Sequence, residues 1–337
     1  MIVSICGYNC SGSSAVLDLL KEYEEAIVID FECMLLDFPD GIRSLDQNVN
    51  SAGLYFREDL AFTRFEKFVH NNRYIQKFSN YNADKITQRY IQDLTGVSWQ
   101  GRSVYDYMTK DCIEKNYWLV KRMVEKAVYK LLKKRIGFTN RLMRMRDKDV
   151  DFYSRTREYI DELIVSFGGD LSKINVMDQL MPPIAASTFF KYVNDGCAII
   201  VDRDPRDMFL NLNMGVDCEC VPRNGNDFVK YHKLWWGNRE NCDKVLYIMF
   251  DDLIYKYDET LKKIEQFLGI KNHIRKKQYF KPEKSINNTQ IFKRVKGFGE
   301  EIRLIENELQ EYLYDYSQRE LVGLSDTYKY IKKGIEN

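Results

Sequence analysis

The sequence has few of the residues that would commit it to several large protein classes. It holds three histidines, His70, His232 and His273, none close to another. Its closest cysteine pair, Cys218 and Cys220, is separated by a single residue, a spacing unsuited to a zinc knuckle. No metal site is therefore expected. Six prolines in 337 residues exclude long proline-rich linkers. An excess of either charge is also lacking: 51 Lys+Arg stand against 50 Asp+Glu, a net charge of +1. A dedicated nucleic-acid binder carries a strong basic excess, so that class is disfavoured. No run approaches the ~18 apolar residues of a membrane span. The opening Met1-Ile2-Val3-Ser4-Ile5-Cys6-Gly7 has no basic leader and no cleavage pattern, so no signal peptide is read. Eight scattered cysteines then fit free thiols in a reducing cytoplasm.

What is present is an ordinary globular composition, 45% apolar and 30% charged. The length suits one large α/β domain or two medium ones. Residues 2–6 are short, apolar and β-prone. A Gly-Ser turn follows, then an apolar helical pattern over 15–20. Further strands are expected at 26–31, 174–178, 197–202 and 245–250. A helix is expected at 258–268 and a helical tail over roughly 299–333. From about 55 to 170 the pattern is helical; Ile86, Tyr90, Ile91 and Leu94 are read on one face, as are Leu119, Val120, Met123, Val124, Ala127, Val128, Leu131 and Leu132. Strands alternating with helices predict a P-loop-like doubly wound parallel sheet of about five strands. The whole chain reads as one α/β domain with a helical insertion or cap.

Two segments carry anion chemistry. The first is Gly7-Tyr8-Asn9-Cys10-Ser11-Gly12-Ser13-Ser14, between strand and helix. Successive N–H groups and the helix N-terminus cradle a phosphate, and the serine hydroxyls add donors. Against the pattern G-x-x-x-x-G-K-[ST], Gly7, Gly12 and Ser14 match, but Ser13 replaces the lysine that meets the β/γ-phosphates. The second is Asp202-Arg203-Asp204-Pro205-Arg206-Asp207. Asp204 suits an N-cap and Pro205 the first helical position. Arg203 then lies at a strand's carboxyl end, where open α/β sheets bind ligands. Asn211, two turns into the helix, can share a phosphate with it.

These segments resemble the sulfotransferases that use 3′-phosphoadenosine 5′-phosphosulfate (PAPS), of the bacterial, carbohydrate type. Cys10-Ser11-Gly12-Ser13-Ser14 is similar to the family's 5′-phosphosulfate loop, with Cys10 where the family has a basic residue. Val201–Asp207 is similar to the 3′-phosphate motif, Arg203 matching its arginine and Asn211 standing for its serine. Phe250-Asp251-Asp252-Leu253, running on to Phe267-Leu268-Gly269, resembles the strand, E-D-L turn and helix that follow. Ser285-Ile286-Asn287-Asn288 is similar to the late loop over the nucleotide, which makes Ser285 and Asn288 candidate contacts.

The resemblance implies sulfuryl transfer from PAPS to a hydroxyl or amine of a carbohydrate or related acceptor, releasing 3′,5′-ADP. Glu32, just past the second strand, is the first choice of catalytic base. Asp178 and Gln179, ending the third, are read as acceptor-binding, with Asp178 the second choice. His232 lies in an aromatic helical stretch and is read as structural. The rival readings are an ATP-using P-loop kinase or transferase, disfavoured by Ser13, and a non-catalytic nucleotide- or glycan-binding protein, favoured by Cys10. Residues 121–157 hold thirteen Lys/Arg against four Asp/Glu, a net +9, so the remainder is net −8. That stretch is either an electropositive wall for an anionic acceptor or a solvated helix face.

Overall fold

The computed structural model describes residues 1–319, apart from 52, 54, 109, 215–219, 238 and 272–276. Cys218, His273 and the end of the expected helical tail lie outside the described residues. Seven strands occur among the described residues: β1 Ile2–Gly7, β2 Ala26–Ile29, β3 Thr95–Gly101, β4 Arg141–Arg146, β5 Ile174–Asp178, β6 Gly196–Asp202 and β7 Val245–Met249. The chain divides into two compact units. Met1–Leu35 with Phe167–Asn337 forms one, and Leu36–Ser166 the other.

The first unit is built on a five-stranded sheet in the order β2-β5-β1-β6-β7, with every pairing parallel. This is the expected doubly wound α/β sheet. All residues of β6 are buried, as are all but the last of β1, which is how strands covered on both faces read as near-continuous apolar runs. Helix Ser13–Leu20 packs Val16, Leu17, Leu19 and Leu20 inward. Helix Tyr257–Leu268 adds Leu261, Ile264 and Leu268 to the same core and stops at Gly269, at φ +66°. From β1 the chain crosses to β2 on one side; from β6 it crosses to β7 on the other. The neighbours β1 and β6 therefore flank the topological switch point, and their carboxyl ends open the crevice where such sheets bind ligands.

Two strands end earlier than expected. β2 stops at Ile29 because Phe31 N–H turns back to the Ile29 carbonyl and the Phe31 ring packs edge-on against Phe167. β7 stops at Met249 because Phe250 begins the helix Phe250–Tyr255.

The second unit corrects the expectation of a wholly helical insertion. Its helices, among them Tyr55–Asn71, Ala83–Leu94, Cys112–Leu132 and Phe152–Ser166, are accompanied by an antiparallel two-stranded sheet, β3–β4. The acids of helix Tyr55–Asn71 hold that sheet. Asp59, 1% exposed, accepts from Arg141 Nη1 and from Arg144 N, both at 3.0 Å. Glu66 takes both terminal nitrogens of Arg144, and Glu58 takes Lys148 Nζ at 2.6 Å. The basic stretch 121–157 is thus not one helix face. Its strand part is neutralised locally, while its helical part remains largely exposed.

Candidate functional site

The loop after β1 is shaped by backbone conformations that few residues tolerate. Cys10 sits at φ +64° and Gly12 at φ +92°. Ser11 N–H closes a turn on the Tyr8 carbonyl at 2.8 Å. Positive-φ residues on either side of Ser11 are the kind of backbone that can turn successive N–H groups to one side as an anion-binding nest. Gly12 is also the N-cap of helix Ser13–Leu20, with no side-chain cap and no acid in the first turn. The first N–H groups of that helix have no intrahelical partner and carry the positive end of its dipole. The Ser11 hydroxyl is buried without a partner. At Gly7 a Cβ would lie 2.5 Å from Ser11 Oγ, so only glycine leaves the loop this close to the strand. The donor set and the orphaned hydroxyl fit a phosphate or sulfate group.

Arg203, at the end of β6, lies against this loop and is 4% exposed. Its Nη1 donates to the Cys10 carbonyl at 2.9 Å and its Nη2 donates to the Asn288 carbonyl. Asn211, read with its amide oxygen toward the guanidinium, accepts from Nη2 at 2.9 Å and from Nη1 at 2.5 Å. Arg203 Nε is buried and has no partner. The guanidinium carbon stands 5.1 Å from the centre of the Phe250 ring. Four separate stretches of sequence therefore meet on one cation. Asp204 caps the next helix as expected, accepting from Arg206 N–H at 2.9 Å.

The segment after Pro282 is tied to this cluster. Arg294 Nη2 donates to the carbonyls of Asn287 and Thr289, each at 2.6 Å, and Thr289 Oγ1 meets the Tyr255 hydroxyl at 2.6 Å. Asn288 thus reaches Arg203 through its backbone. Ser285 is half-buried in the short helix Pro282–Ser285.

Two acids stand at the carboxyl ends of β2 and β5. Glu32 is exposed and Asp178 half-buried. Burial pushes the Asp178 carboxyl up to about 7, and the charges of Glu32 and Asp30 add to the rise. Gln179, at φ +52°, turns its amide onto the Gly7 backbone, accepting from Gly7 N–H at 3.4 Å. In the structure Gln179 therefore supports the end of β1.

Sequence reasoning did not find the aromatic shell. Tyr8 stacks on Trp236 with ring centres 4.0 Å apart, and His232 stacks on the same indole at 3.5 Å. His232 is buried with neither ring nitrogen partnered; burial, then the charge of Arg239, pushes its pKa down to about 3. Beside Arg203 and Trp236 opens a cavity of about 390 Å³, lined also by Asp202, Arg239, Tyr312 and Tyr314. The run of rings in helix Gly225–Trp236 was the only signal for it.

The family model for the sulfotransferase domain matches residues 218–303. The match spans about a quarter of the chain, and over that segment the chain is similar to the sulfotransferase domain. Two solved structures are distantly similar. One is the sulfotransferase domain from the Synechococcus PCC 7002 olefin synthase, at 12% identity and TM-score 0.35, covering 99% of this chain and 94% of that one. The other is sulfotransferase STF9 from Mycobacterium avium, at 9% identity and TM-score 0.37, covering 94% and 77%. No curated protein sequence matches the chain. Phe250, Ser285 and Asn288 fall inside the sulfotransferase segment; the loop Cys10–Ser14, Arg203 and Asn211 precede it.

Proposed function

We propose that this chain transfers a sulfuryl group from PAPS to a hydroxyl or amine of a carbohydrate or related acceptor. The observation that carries the reading is the meeting of Arg203 with the Cys10 carbonyl, Asn211 and the Asn288 carbonyl at the β1–β6 switch point. It puts one anion site, the loop Cys10–Ser14, next to a second, Arg203 with Asn211. A nucleotide bearing anions at both its 5′ and 3′ positions matches that pairing. Ser13 in place of a lysine disfavours a triphosphate. The free thiols of the described cysteines suit a reducing compartment such as the cytoplasm.

When bound, PAPS supplies an activated sulfuryl group whose leaving group is 3′,5′-ADP. The chain's own residues do the rest. The N–H groups of Gly12, Ser13 and Ser14 and the hydroxyls of Ser11, Ser13 and Ser14 orient the 5′ anion and stabilise charge on the departing phosphate. Arg203, with Asn211, holds the 3′-phosphate, its Nη2 exchanging the Asn288 carbonyl for a phosphate oxygen while Nη1 keeps the Cys10 carbonyl. Because Arg203 touches the Cys10 carbonyl, it brings positive charge to a loop that lacks the basic residue usual at position 10. Asp178 takes the acceptor proton. Its pKa near 7 makes it a stronger base than an ordinary carboxylate while leaving it substantially ionised at neutral pH. Glu32, exposed at the neighbouring strand end, keeps that pKa high by its charge.

Transfer of label from radioactive PAPS to a panel of glycans tests the reading. At least one glycan is expected to be labelled. Asp178→Asn should slow transfer by roughly 100-fold or more, the scale of a lost general base. A parent enzyme that labels no acceptor, or an Asp178→Asn variant as fast as the parent, would refute the assignment.

A further inference from the structure

Helix Cys112–Leu132 of the Leu36–Ser166 unit is inverted relative to an ordinary surface helix. Its only buried residue is an acid, Glu125. That carboxylate accepts from Thr139 N–H at 2.7 Å, from Thr139 Oγ1 at 2.9 Å and from Arg102 Nη1 at 3.0 Å, and so fixes the inner side of the helix. The apolar residues point outward. Ile113, Tyr117, Val120, Val124 and Leu131 recur at spacings that stack them on one face, and they are 81, 64, 56, 43 and 80% exposed. Ala127, also exposed, and the half-buried Val128 continue the face. Lys121 and Lys130 project from its two edges. Residues 112–135 together hold eight Lys/Arg against two Glu, a net +6.

We propose that this helix lies on an anionic membrane surface. The apolar face enters the boundary between headgroups and acyl chains, and the bordering lysines snorkel to the headgroup phosphates. Both halves of the pattern are used by that one occupant. Nucleic acid would meet the cations but leave the apolar face wet. A second copy would cover the apolar face but set two lysine borders against each other, since an isologous contact pairs each patch with itself. Among the described residues no helix is long and apolar enough to cross a membrane, so the helix lies on the surface and does not span it.

Flotation of the full chain with vesicles tests the proposal. Phosphatidylcholine vesicles are compared with vesicles of phosphatidylcholine and phosphatidylglycerol, at low and high salt. Two double variants are used: Val120→Asp with Val124→Asp, and Lys121→Glu with Lys130→Glu. Circular dichroism matching the parent confirms that each has folded. The parent is expected to float with the anionic vesicles and to release as salt rises. Each cation near such a surface is worth roughly fivefold in partitioning, so the lysine variant should bind at least ~10-fold more weakly. The aspartate variant should lose binding by a similar factor, because it places charge in the apolar face. A parent that floats with neither vesicle overturns the proposal. So does binding that both folded double variants retain. A parent dimer in sedimentation, dissociated by the aspartate variant and accompanied by no vesicle binding, assigns the face to a second copy and also overturns it.

Discussion

Replacing Gly12 with alanine tests whether the anion loop and the Arg203 cluster are one packed object. Gly12 is held at φ +92°, a conformation in which a side chain costs roughly 1–2 kcal/mol. Its Cβ would also lie 2.5 Å from Phe250 Cδ2 and 2.9 Å from Phe250 Cγ. The ring cannot swing away cheaply, being 3% exposed and covered by the Arg203 guanidinium on one side. Forcing atoms into such a packed place costs about 1–3 kcal/mol more. Gly12→Ala should therefore lower unfolding stability by roughly 2–5 kcal/mol. The assay is urea denaturation, read as a fall in midpoint at unchanged slope. Gly299→Ala is the control. Gly299 opens a helix and has nothing within 4 Å of its ideal Cβ, so that variant should stay within about 1 kcal/mol of the parent. A Gly12→Ala loss below about 1 kcal/mol would refute the claim that loop, Phe250 and Arg203 are mutually fixed.

Three further predictions concern protonation. Asp178 holds its proton up to about 7 in the folded chain, so its contribution is fully present below the ordinary carboxylate range and is lost as pH rises through 7. Asp178→Asn should gain on the parent between pH 5 and pH 8, by about 1–2 kcal/mol after allowance for solvent screening at this half-buried site. In Glu32→Gln, carbon-13 titration should find the Asp178 pKa lowered; an unchanged value would mean that the two acids do not interact. His232 behaves in the opposite sense. Its folded pKa of about 3 lies below the ordinary 6.5, so its contribution is present above 6.5 and is lost as pH falls toward 3. His232→Phe should keep the ring stack on Trp236 and resist acid better, by roughly 3 kcal/mol at pH 4. Equal acid sensitivity of parent and variant in denaturation at pH 4 and pH 7 would rule this out.

The five-stranded sheet was legible because β1, β5, β6 and β7 are short apolar runs bounded by turn residues, and burial on both faces leaves little else for them to be. The antiparallel β3–β4 pair was not. Thr95–Gly101 carries two glycines, and Arg141–Arg146 alternates arginine with leucine and methionine. Its place is set by Asp59, Glu58 and Glu66, some eighty residues earlier in the chain. Helical periodicity located the face bearing Val120, Val124 and Leu131 but carried no information on what covers it; in the structure it is exposed. At the site, the placing of Arg203 at a strand end followed from local pattern. Its packing on Phe250 and the Asn288 carbonyl is tertiary and leaves no local trace. The proposed choice of Asp178 over Glu32 as base rests on burial and on the charge of Glu32 acting on Asp178, which spacing along the chain does not encode.

Under the proposed function, Arg203 and the loop after β1 together hold a nucleotide with anions at both its 5′ and 3′ positions. Calorimetric titration with 3′,5′-ADP and with ATP and magnesium tests this pairing. The parent should prefer 3′,5′-ADP. Arg203→Ala, confirmed as folded by thermal melting, should weaken that binding by roughly 10–100-fold, the worth of a lost charged hydrogen-bond donor. Preference for ATP with magnesium, or undiminished 3′,5′-ADP binding in Arg203→Ala, would rule out that pairing.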